Sequence, residues 1–161
     1  MPVRIPHLTT WRRGLWRYVR AVPRGLVGEF GQRLWSQNLG RVSLAEAETE
    51  ARALDAAVEW QIERVRGLSA AERAALVAAG GIAGLEAGVV ELESIAAQVQ
   101  DVVHALRRRP GCAKREAAAS VAEALQRTVA DALNEARERV RPWRPPGGKG
   151  LTEWGSPPPP E

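Results

Sequence analysis

Apolar positions between residues 82 and 109 alternate spacings of three and four without a break: Ile82, Leu85, Val89, Leu92, Ala96, Val99, Val103 and Leu106. Four heptads of a and d positions predict one long helix. Ile95 and Val102 widen the stripe, so two neighbours are expected rather than one. Arg107, Arg108 and Arg109 fall in the last turn, where cations complement the helix dipole, and Pro110-Gly111 ends it. A second long helix is expected from about Lys114 to Arg141. Its apolar face reads Val121, Leu125, Val129, Ala132, Ala136 and Val140, with Leu133 beside it. A short turn between two long helices predicts an antiparallel helical hairpin.

Two S-x-x-E boxes mark further helix starts upstream. Ser43 with Glu46 opens a helix whose stripe is Leu44, Ala47, Ala51, Leu54, Val58, Val65 and Leu68, with Gln61 as its one polar member. In such a box the hydroxyl and the carboxylate each satisfy an orphan backbone N–H. Gly67 is the expected end. Ser69 with Glu72 opens a shorter Ala-rich helix that stalls at Gly80-Gly81. Gly80, Gly84 and Gly88 recur every four residues, a spacing that lets another backbone approach closely.

The ends of the chain read differently. Residues 1–10 hold Pro2 and Pro6 and are expected to be extended. From Trp11 a short helix is expected, with Trp11, Leu15, Tyr18 and Val19 on one face. After Pro23 a second short helix would carry Leu26, Val27, Phe30 and Leu34, closed by Asn38-Leu39-Gly40. Pro142 ends the last helix, and the Pro/Gly-rich tail that follows predicts no core. The expected fold is therefore all-α. It consists of long amphipathic helices in an antiparallel hairpin or small coiled-coil-like bundle over residues 42–141, flanked by irregular arms at 1–41 and 142–161.

Composition changes this picture little. One Phe and one Tyr stand against six Trp, so the expected core is aliphatic. A single cysteine, Cys112, excludes an internal disulfide and a multi-cysteine zinc site. Charge adds more. Residues 1–41 carry eight Arg against Glu29 alone, a local charge of +7 that the rest of the chain lowers to the formal net +4. Residues 74–90 carry one charge, Glu86, yet fall short of the ~20 apolar residues of a membrane span. Arg12-Arg13 are not followed by an apolar run, so no secretory signal is read. An intracellular location, or one inside an assembled particle, is expected.

Candidate chemistry is sparse. His7 lies in an arm and His104 near a helix end, and neither is placed as a partner for Cys112. Lys114 and Arg115 flank that cysteine, but a plain turn residue is the expected reading. Glu91 and Glu93 are two apart and diverge on a helix. No phosphate-binding loop, nucleophile elbow or H-E-x-x-H zinc motif occurs. No catalytic residue, cofactor, metal or small-molecule substrate is therefore assigned, and the chain is expected not to be an enzyme.

The candidate partner-binding residues lie in the N-terminal arm: Trp11, Arg12, Arg13, Trp16, Arg17, Tyr18, Arg20, Phe30 and Trp35. Trp and Arg recur at binding hot spots because each desolvates a large surface while keeping a polar handle. A protein groove, an anionic membrane surface or nucleic acid would each suit them. A structural reading stands beside these, in which the aromatics fold back over the helical core. Ile82, Leu85, Val89, Leu92, Val99, Val103 and Leu106 are the candidate packing seam, within one chain or between copies. Trp143 and Trp154 are the candidate tail anchors, expected to dock on a neighbouring subunit. Together these features predict a non-catalytic structural, assembly or adaptor subunit of a larger complex, for which a virion or similar particle is a natural setting. The alternative is a peripheral binder of anionic lipid or nucleic acid through residues 1–41.

Overall fold

The computed structural model describes residues 5–12, 14–108 and 111–145; the Trp11 side chain, Arg13 and Trp154 lie outside them. The protein is mostly helical but not all-α, because a small three-stranded antiparallel sheet is built from the N-terminal residues. Strand β1 is Leu8–Trp11, β2 Leu15–Ala21 and β3 Leu34–Gly40, in the spatial order β1-β2-β3. A 3₁₀ turn, Arg24–Leu26, and the single-turn helix α1, Val27–Phe30, connect β2 to β3. Helices α2 (Leu44–Arg66), α3 (Ala70–Ala78), α4 (Gly81–Arg107) and α5 (Ala113–Val140) follow.

The sheet replaces the helix expected from Trp11. Leu15, Tyr18 and Val19 fit a helical face, but Leu-Trp-Arg-Tyr-Val-Arg also fits a strand, since its aromatic and β-branched residues suit a pleated, half-buried surface. Gly14 at φ +81° closes the β1–β2 turn, a conformation glycine adopts without Cβ strain. The second short helix ends earlier than expected, at Phe30, where Gly31 takes a left-handed cap and Leu34 begins β3. In β2–β3 Tyr18 pairs with Gln37 and Arg17 with Asn38, with a bulge between Trp16 and Arg17.

By contacts the chain divides into two compact units, Met1–Ala83 with Trp143–Glu161, and Gly84–Pro142. The residue-41 boundary drawn from charge falls inside the first unit. There α2 turns Ala47, Ala51, Leu54, Val58, Ile62 and Val65 inward, and the sheet adds Tyr18, Val22, Phe30 and Trp35 to the core. The core is thus aromatic as well as aliphatic. Both capping boxes form: Ser43 and Ser69 each accept the N–H of the glutamate three residues on, and each glutamate accepts the serine's N–H in return.

The C-terminal cap of α1 meets the break between α3 and α4 backbone to backbone, while the Val77 side chain of α3 lies against Gly28 of α1. A Cβ on Gly31 would lie 2.0 Å from the Gly80 carbonyl oxygen. Gly31, Gly80 and Gly81 all have positive φ, 67°, 86° and 76°. Close backbone approach therefore occurs at Gly80-Gly81 itself, at the α3–α4 break, whereas Gly88 faces nothing within 4 Å.

In the second unit, Val89, Leu133 and Val140 form a buried cluster, packed by Leu85, Leu92, Ala96 and Ala136. Glu93 pairs with Arg137 and Glu123 with Arg107, linking α4 and α5 in opposite chain order. The expected α5 face is buried along its C-terminal part, at Val129, Leu133 and Val140, but not at its N-terminal end. Ala122, Val129, Leu133 and Val140 are inside, whereas Val121 is 71% and Leu125 51% exposed. No single helix among the described residues is long and apolar enough to cross a membrane; α3 and α4 meet that test only as a pair bent at their break.

Candidate nucleic-acid interface

The two faces of the sheet have opposite fates because successive side chains of a strand alternate. Tyr18 and Arg20 point to α2. The Tyr18 hydroxyl donates to Asp55 Oδ1 at 2.5 Å, and Arg20 bonds Asp55 at 3.2 Å and also pairs with Glu59. Burial pushes the Tyr18 hydroxyl well above the ordinary tyrosine range, and its donation to the Asp55 carboxylate pushes further the same way. Trp35 lies on this inner side, edge-on to Phe30 with ring centroids 4.9 Å apart. Tyr18, Phe30 and Trp35 are buried in the core, so their surface is spent there and cannot anchor a partner. Trp16 is half-buried. Tyr18, Phe30 and Trp35 thus lie in the core of their own unit.

Arg20 is likewise removed from the set of binding cations. Its charge is matched by two carboxylates of α2. Glu29, the arm's one acid, is also engaged, at 3.9 Å from Arg73 of α3.

The other face of the sheet carries Thr9, Arg17, Ser36 and Asn38 together with the apolar Leu15, Val19, Ala21 and Leu34, of which Leu34 is 52% exposed. Arg17 Nε donates to Ser36 Oγ at 2.9 Å, which places both side chains on it. Thr9, Arg17 and Asn38 are successive register partners across the three strands, so they form one transverse polar row. Thr9 and Asn38 are exposed; Arg17, Val19 and Ser36 are half-buried. Leu15 and Val19 stand on either side of Arg17 along β2.

Exposed arginines sit at both ends of the strands. Arg12 lies in the β1–β2 turn and Arg41 directly after β3, at the end where Trp16 pairs with Gly40. Arg24 follows β2 and Arg33 precedes β3, at the end where Val22 N–H donates to the Arg33 carbonyl at 2.9 Å. Sequence reasoning marked the cations as a group, but not this division. A helical reading of residues 11–40 scatters Ser36 and Asn38 and leaves the extended Thr9 without a strand partner, so it does not point to this row.

The other expected sites fall elsewhere. The seam residues Ile82 and Val89 are buried, and Leu85, Leu92, Val99, Val103 and Leu106 half-buried. Trp143, expected to dock on a neighbour, is buried in its own unit: Gln61 Nε2 donates to its carbonyl at 2.8 Å. The Arg64 guanidinium lies 5.3 Å from the Trp60 ring centroid and 5.9 Å from that of Trp143, within cation–π range. Among the described residues no group of three or more His, Cys, Asp or Glu is placed to hold a metal ion. No known protein family, curated protein or solved structure matches the chain.

Proposed function

We propose that the sheet unit is a nucleic-acid-binding module that lays the Thr9–Arg17–Asn38 face on duplex DNA. The observation that carries this reading is the pairing of the polar Thr9–Arg17–Asn38 row with exposed arginines at both strand ends. The seven residues of β2 span roughly 20 Å at about 3.4 Å each. The major groove is about 12 Å wide and admits β-structure. Arginines beyond each end of the strands would then straddle it and reach phosphates on both sides. In this reading the protein is non-catalytic and binds its ligand without transforming it.

A lipid surface has less support. Its binding would favour an amphipathic helix with aromatics at the interface, but residues 15–21 are a strand and the arm's large aromatics are largely in the core.

The test is fluorescence anisotropy of the full chain with a labelled duplex over a salt series. Affinity should fall linearly on logarithmic axes, with a slope near −0.9 per phosphate contacted. Joint replacement of Arg12, Arg24, Arg33 and Arg41 by Gln should flatten that slope. Binding that ignores salt, or that survives this replacement unchanged, overturns the proposal.

A second reading is favoured by the exposed aliphatics of the other unit, Val90, Val102, Val121 and Leu125. Here α4 and α5 form an antiparallel, coiled-coil-like hairpin whose outer side joins copies of the chain in a larger assembly. The opposite chain order of Glu93–Arg137 and Arg107–Glu123 supports the hairpin. Light scattering on the wild type and on Val121→Gln/Leu125→Gln tests it, the variant being expected to lose mass; a monomeric wild type sinks it.

A further inference from the structure

We propose that Arg17 and Asn38 are the base-reading pair of the sheet, specifying a guanine and an adjacent adenine; this rests on the duplex-binding reading above. The two are direct partners across β2 and β3. Residues so opposed in an antiparallel pair have Cα atoms about 4.5–5.5 Å apart. Neighbouring bases rise about 3.4 Å along the duplex, so two such side chains reach the same or adjacent base pairs.

Their chemistry is complementary to two different bases. Arginine makes a bidentate contact to guanine O6 and N7, and the asparagine amide does the same to adenine N6 and N7. Residues that contact phosphate alone need neither the planar fork nor the amide. Here an amide, two hydroxyls and a guanidinium share one row and its margin, while the plain charges sit at the strand ends. Ser36 holds the Arg17 fork through the 2.9 Å Nε–Oγ bond, which limits the rotamers it loses on binding. Leu15 and Val19, on either side of Arg17, offer apolar contact of the kind that thymine methyl groups accept.

The division of labour is therefore explicit. Arg12, Arg24, Arg33 and Arg41 set affinity and its salt dependence; Arg17 and Asn38 set which sequence is preferred; Thr9 and Ser36 position.

The experiment is selection of bound duplexes from a random library by the full chain, with Asn38→Ala and Arg17→Lys alongside. Arg17→Lys keeps the charge and removes the fork, and a circular dichroism spectrum checks that each variant folds. The wild type should enrich sites containing neighbouring guanine and adenine. Asn38→Ala should lose the adenine preference, and Arg17→Lys the guanine preference, each by roughly ten- to a hundred-fold in discrimination. Affinity for the enriched site should fall by more than affinity for unrelated duplex does. Salt-dependent binding with no enriched sequence, or variants that select the wild-type site, overturns base reading while leaving duplex binding intact. Failure to bind any duplex at low salt overturns the underlying reading instead.

Discussion

Tyr18 donates its phenolic hydrogen to Asp55 across the interface between sheet and helix, at 2.5 Å. Burial and this carboxylate both disfavour the tyrosinate, so the folded hydroxyl titrates above its ordinary value near 10. The sign follows directly. A group whose folded pKa is raised contributes stability that is complete below the unfolded value and is lost as pH climbs toward the folded one. Stability should therefore fall progressively above about pH 10. The chain has one tyrosine, so tyrosinate absorbance reports this residue alone. It should appear together with loss of the near-ultraviolet dichroism, and Tyr18→Phe should flatten the alkaline limb. Tyrosinate forming at its ordinary pH in a fully folded protein would contradict the buried pair.

Trp35 and Phe30 meet edge-on in the core of the first unit. Trp35→Ala removes a fully buried indole from a core that has few other bulky groups. Urea unfolding should show a loss of about 3–5 kcal/mol, with the sheet failing before the long helices. A loss below about 1 kcal/mol would mean that Trp35 is on the surface, as a partner-binding residue would be.

The helices were legible in the sequence because each carries a local signal that tertiary packing reinforces. Ser43–Glu46 and Ser69–Glu72 cap within four residues, and Pro110-Gly111 stops a helix by its own chemistry. The sheet was not legible, for a physical reason. Seven residues such as Leu15–Ala21 satisfy both a two-residue and a 3.6-residue period, and what selects the strand is the partner it meets at residues 34–40, outside any local window. The binding face inherits that difficulty, since Thr9, Arg17 and Asn38 become neighbours only through strand pairing. The basic excess needed no structure, because counting charges along the chain is enough to find it. The apolar stripe of α5 marks its buried side correctly at Val129, Leu133 and Val140, whereas Val121 and Leu125 at its N-terminal end stay exposed. Gln61, by contrast, was visible as an anomaly in an apolar stripe, while its partner lies 82 residues away.

Gly31 tests the contact between α1 and the α3–α4 break. An added methyl would meet the Gly80 carbonyl oxygen at 2.0 Å, and φ of +67° disfavours any side chain. Gly31→Ala should lower stability by more than about 1 kcal/mol, read as a fall of several degrees in the thermal midpoint. Gly25→Ala is the control: a Cβ there meets nothing within 4 Å, so its effect should be small. Equal midpoints for the two variants would place the glycine contact elsewhere.

Gln61 and Trp143 distinguish a segment held by its own unit from one that docks on a neighbour. Gln61→Leu leaves the Trp143 carbonyl buried without its donor, at a cost of about 1–3 kcal/mol. That loss should be the same in dilute and concentrated protein, measured by chemical unfolding. Dependence on protein concentration would indicate that Trp143 is held by a second copy.

Glu46 and Glu72 set the acid limit of the helix starts. Each accepts the backbone N–H of its capping serine, and that bond holds the carboxyl below its ordinary value, with the serine hydroxyl adding to the effect. For a carboxyl whose folded pKa is lowered, the stabilisation is complete above the unfolded value near 4.5 and fades as pH falls through the folded one. Helicity at the amino ends of α2 and α3 should therefore begin to weaken below about pH 4.5. Amide hydrogen exchange read on residues 44–48 and 70–74 should quicken there, beyond its intrinsic pH dependence, before the middle of α2 responds. Glu46→Gln keeps an acceptor while removing the titration, so in that variant the pH dependence at α2 should disappear and that at α3 should persist. If both helix starts keep their pH dependence in Glu46→Gln, the titrating group is not the capping carboxylate.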